Sequence, residues 1–130
     1  MTAAAICGLL AACAPQFGAP AAGDLHSARQ TCNDAYPRRI GNYLPHARCV
    51  NAAVEAYALP ISRNPDLMRL QAEIRENLSG KIDGHRLSAQ AGERRMAEAD
   101  QLIAQAERER AAGHETAAAR HVSAVEKLLR

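Results

Sequence analysis

Asn64-Pro65-Asp66-Leu67, running on to Leu78-Ser79-Gly80-Lys81-Ile82-Asp83-Gly84-His85-Arg86-Leu87, holds both the plainest helix of the chain and its most ambiguous junction. Asn64 is a capping residue, Pro65 fits the first helical position, and Asp66 places an acid where the helix dipole favours one. Leu67, Leu70, Ile74 and Leu78 then recur at helical spacing. Two readings of the junction follow. In the first, Gly80 ends the helix in the left-handed conformation that glycine tolerates, and Asp83 caps the next helix with Ile82 and Leu87 as a hydrophobic staple. In the second, one long helix is kinked near Gly80 and Gly84.

Beyond the junction, Ala89, Gly92, Met96, Ala99, Ile103 and Ala106 alternate three and four apart, which predicts a helix from Gly84 to Ala112. That seam is mostly small residues, which permit close approach but bury little area. Gly113 fits a helix end, and a last helix from His114 carries Val122, Val125, Leu128 and Leu129. Before the junction, Asp24 to Ala35 reads as a first helix with Asp24 as its cap and Pro37 just past its end. Gly41-Asn42 is a turn, and Pro45 sits in the first turn of a second helix reaching about Leu59, striped by Val50, Ala53, Val54 and Tyr57. The expectation is an all-α fold of four or five helices with an antiparallel helical-hairpin body. Residues 1–12 read as a signal peptide, 13–23 as a flexible tether and 24–130 as a single helical domain.

Two resemblances bear on that body. Leu78 to Leu87 resembles the short helix-turn-helix of small bacterial C-terminal modules, in which Gly and Ile precede a capping residue. Ala111-Ala112-Gly113-His114-Glu115-Thr116-Ala117-Ala118 resembles the turn between the helices of a tetratricopeptide unit. Only one such unit is present, and Glu109 and Ala106 stand where that family places an aromatic and a glycine, so a repeat array is not expected.

Met1 to Ala12 is apolar or small and uncharged, too short to span a bilayer as a helix. It ends in Leu10-Ala11-Ala12-Cys13, which resembles the bacterial lipobox. The resemblance implies cleavage before Cys13, acylation of Cys13, and attachment to the membrane through the lipid. Ala14 is not the Asp that retains such proteins in the inner membrane, which implies the outer membrane, facing the periplasm. The Pro- and Gly-rich run Ala14 to Gly23 then serves as a tether, disordered like the leader before it. The first Lys or Arg is Arg29, so the leader lacks a basic start; a plain cleaved signal and a cytosolic Ala-rich start are the other readings.

Cys7 falls in the leader, leaving Cys32 and Cys49 as the pair of the mature domain. Export places them where thiols commonly form a disulfide, and closing that loop stabilises by about 3 kcal/mol on the chain-entropy model. The rival reading makes His46, Cys49 and Cys32 metal ligands, but it lacks a fourth donor.

Catalytic patterns are not found. His114-Glu115 would need a second His at position 118, which is Ala118, and His121 lies too far along the helix to share an ion. Acids from Glu73 to Glu126 alternate with bases, as solvated helix faces do. There is no nucleophile elbow or phosphate-cradling Gly loop. Ala supplies 29 residues, there is no Trp and one Phe, and Asn64 to Arg130 holds eleven bases and eleven acids. This is not the basic, aromatic surface of a nucleic-acid binder. The expected role is a non-catalytic, lipid-anchored envelope protein without cofactors, binding or structural, whose thin core invites self-association or an envelope partner. The alternatives are a soluble intracellular helical interaction module and a periplasmic metal-binding module using the histidines.

Overall fold

Five helices follow one another with short connections, α1 (Leu25–Ala35), α2 (Tyr43–Tyr57), α3 (Pro65–Asp83), α4 (Ala89–Ala111) and α5 (Glu115–Leu128), with a 3-10 turn at Leu59–Ile61. The computed structural model describes residues 23–130. The leader, the proposed lipid site Cys13 and all of the tether but Gly23 lie outside the described residues. No helix among the described residues is long and apolar enough to cross a membrane.

Each helix packs mainly on its sequence neighbours, α1 on α2, α2 on α3, α3 on α4 and α4 on α5. Side-chain bonds set the directions. Asp83 at the end of α3 reaches the start of α2, and Arg110 near the end of α4 bonds Asp66 near the start of α3. Both pairs are therefore antiparallel. Lys81 Nζ donates to the Leu129 carbonyl at 3.0 Å, tying the end of α3 to the end of α5.

The core divides in two. Leu67, Ile74 and Leu78 of α3 meet Ala99, Ile103 and Ala106 of α4 and Val125 of α5, with Leu102, Val122 and Leu128 packed against them. Burying each large aliphatic side chain here contributes roughly 1.5–3 kcal/mol. The second cluster is small, with Cys32 of α1 against Val50, Val54 and Ala58, flanked by Leu25, Cys49 and Met68. The small-residue seam of α4 does what its composition implies. A β-carbon on Gly92 would lie 2.5 Å from the Ile82 Cδ1, so a larger residue there would force the Ile82 side chain to shift.

Neither reading of the junction survives unchanged. Gly80 lies inside α3, which continues to Asp83, and the chain then turns through Gly84 to Ser88 into a separate helix. The turn is built on His85, whose φ is +55°. Asp83 does not cap α4. Ser88 does, its hydroxyl accepting the Ala91 N–H at 3.2 Å. Two other cap assignments divide. Asp24 caps α1 through the Ser27 N–H at 2.8 Å, as its position predicts. Asn64 precedes α3 without a side-chain cap bond, because its amide oxygen accepts from Arg110 instead.

Candidate functional site

Cys32 and Cys49, 17 residues apart, form a disulfide with a Cα–Cα separation of 5.7 Å. The bond joins the last turns of α1 to the first half of α2 and lies inside the smaller apolar cluster. These thiols are consequently not metal donors, and His46, three residues before Cys49, is bonded elsewhere: its Nε2 lies 2.8 Å from Asn33 Oδ1 on α1. Among the described residues no three His, Cys, Asp or Glu stand together as a metal would require. His114 bonds Glu109 through Nδ1 at 2.8 Å.

The loop between α1 and α2 is bonded from several sides. Tyr36 donates its N–H to the Cys32 carbonyl at 3.0 Å, and Pro37 prevents further helix. Asn42 Nδ2 donates to the Pro37 carbonyl at 2.8 Å. Gly41, at φ +93°, makes the turn, and its N–H donates to Asp83 at 2.7 Å. Arg38 on this loop pairs with Glu93 of α4 at 2.8 Å. The loop thus bridges α2 and α4 over the face of α3 between them.

Beneath that bridge is a half-open cleft of about 210 Å³. Leu78 and Ile82 of α3 and Met96 of α4 supply an apolar floor, and Tyr36 and Tyr43 supply ring surface. Arg38, Arg75 and His46 line the same space, with Glu93 as its one acidic lining residue. Arg75 is half-buried, and burial pulls its guanidinium below the ordinary arginine value, with Arg29 adding to that lowering and Asp100 opposing it. It stays a cation, because so high a value leaves it protonated at any physiological pH. The His46 imidazole is held below its ordinary value by burial first, then by the charges of Arg38 and Arg75. At neutral pH it is therefore uncharged.

The cleft is not anticipated by the sequence reading, which follows apolar stripes. A signal does exist in α3: Arg75 opens a run with Leu78, Ser79 and Ile82, spaced three, four and seven residues on, which places a cation on a largely apolar face. The loop contribution of Tyr36 and Arg38 has no such period and comes only from tertiary folding.

No protein-family model matches the chain, and no curated protein or solved structure matches it.

Proposed function

We propose that this chain is an exported helical protein held in the bacterial envelope by lipid on Cys13, acting there without catalysis by binding or structural support. The disulfide between Cys32 and Cys49 carries the reading, because such bonds persist in oxidising compartments and are rare in the reducing cytosol. Leu10-Ala11-Ala12-Cys13 supports it from the other end of the chain, by its resemblance to the lipobox. The outer membrane, facing the periplasm, is the address that Ala14 supports, with an envelope protein or a second copy as partner.

Radiolabelled palmitate tests the anchor. Label enters the protein in bacterial cells and is lost in Cys13→Ser. Incorporation that survives Cys13→Ser, or no incorporation at all, overturns the anchor. Thiol trapping before lysis tests the compartment: Cys32 and Cys49 are expected to be protected from alkylation until a reductant is added. Free thiols at both positions overturn export.

A further inference from the structure

We propose that the cleft between α2 and α4 binds a small carboxylate carried on an aromatic or similarly compact apolar body, with Arg75 holding the carboxylate. This deepens the binding role above and rests on the domain, not on the lipid, so the two fail separately.

Size sets the first limit. A dry cavity of about 150 Å³ holds benzene, and this cleft measures about 210 Å³. One ring with a short arm fits within it. Leu78, Ile82 and Met96 meet such a ring from below, and Tyr36 and Tyr43 from the sides.

Charge sets the second. Among the described residues the side-chain hydrogen bond of Arg75 is to Asn51 Oδ1, made through one of its terminal nitrogens. Asn51 does not line the cleft. The guanidinium has five N–H donors in a planar fork, so it keeps donors for a carboxylate. Arg38 is already engaged by Glu93, which leaves the cleft an excess of about one positive charge while His46 is neutral. A monoanion is matched; a phosphate dianion brings more charge than Arg75 answers. Burial is the main cause that disfavours the protonated imidazole of His46, and a carboxylate set beside Arg75 offsets only the smaller part due to the charges of Arg38 and Arg75.

Phenylacetate and its neutral amide, phenylacetamide, test this on the unmodified full chain by calorimetry and NMR. Phenylacetate is expected to bind about tenfold or more tightly than the amide, the difference that one charge-assisted bond supplies. Its shifts are expected to centre on Tyr43, His46, Leu78 and Met96. The His46 imidazole is expected to titrate at higher pH with phenylacetate bound than with the amide bound, since both bury the ring and only the acid brings a negative charge. Arg75→Gln should remove the preference for acid over amide. Equal affinity for the two compounds overturns the proposal, as do shifts confined to α5 or tight binding of inorganic phosphate in competition with phenylacetate. Because the acid–amide comparison uses the native sequence, it decides the matter even if Arg75→Gln does not fold.

Discussion

The Asp83 carboxylate, in the last turn of α3, accepts the Leu44 N–H in the first turn of α2 at 2.8 Å, across 39 residues of sequence. Its other oxygen takes the N–H groups of Gly41 at 2.7 Å and Tyr43 at 3.3 Å. The opening amides of α2 have no partners within their own helix, and Asn42, at the capping position, makes no side-chain cap bond. An acid at the C-terminal end of α3 opposes that helix's own dipole, yet it faces the positive end of α2. A cap supplied by another helix thus fixes both the start of α2 and the loop that roofs the cleft.

Asp83→Ala should therefore cost about 1–2 kcal/mol, the range seen when a cap is lost. Urea unfolding monitored by circular dichroism measures it. Asp83→Asn keeps one acceptor oxygen and should recover part of the loss. The Tyr36 and Tyr43 resonances should move in both variants, because the loop and the start of α2 lose their common tie. An Asp83→Ala protein as stable as the native one would mean that solvent caps α2 equally well.

The ends of α3 and α4 share one backbone design with different residues in its key position. At the end of α4, Gly113 takes φ +77°, its N–H reaches the Arg110 carbonyl at 3.0 Å, and the His114 N–H reaches Glu109 at 2.8 Å. At the end of α3, His85 takes φ +55°, its N–H reaches Ile82 at 3.0 Å, and the Arg86 N–H reaches Lys81 at 2.8 Å. Both are Schellman ends, one with the glycine that suits the left-handed position and one without. His85→Gly should raise stability by about 1 kcal/mol, the cost of holding a β-carbon there. A higher urea midpoint with an unchanged slope would show it. Gly113→Ala should move the midpoint the other way.

These same residues show what could be read from the sequence. The stripe of Leu67, Ile74 and Leu78, the cap Asp24 and the breaker Gly113 are local signals, and each stands in the structure where its spacing puts it. The junction misleads for a physical reason. Two glycines, Gly80 and Gly84, sit near it, but the left-handed residue is His85, one position past Gly84. Asp83 looks like the cap of the helix that follows, whereas the helix it caps lies 39 residues earlier, a relation no local window contains. The cleft is hidden for the same reason. Its floor is periodic along α3, but its roof comes from a loop held by Asp83 and Glu93.

The disulfide makes a prediction about where stability resides. Helix α1 packs on α2 and buries only Cys32 fully, so it has little apolar area of its own. The double variant Cys32→Ala, Cys49→Ala should lose about 3 kcal/mol. Hydrogen exchange should place that loss unevenly. Amides of Leu25–Ala35 should lose protection first, while Ile74, Ile103 and Val125, in the larger core, keep theirs. Uniform loss across all five helices would show instead that the two cores unfold as one unit.

Acid should loosen the start of α3. Arg110 grips Asp66 with two bonds, at 2.8 and 2.6 Å, and those bonds hold the Asp66 carboxyl below its ordinary value of 3.8. A carboxyl whose value is lower folded than unfolded binds fewer protons in the native state, so its contribution is present above pH 3.8 and is lost as pH falls through the folded value. The Asp66 side chain is 59% exposed, which limits the pair to at most about 1 kcal/mol. Thermal melts between pH 5 and about pH 2 should therefore fall more steeply for the native protein than for Asp66→Asn, and the two curves should converge at the acid end. High salt should shrink the difference, since an exposed pair is screened. Parallel curves over that range would show that Arg110 steadies the start of α3 through Asn64, whose amide oxygen it also contacts at 3.3 Å, and not through charge.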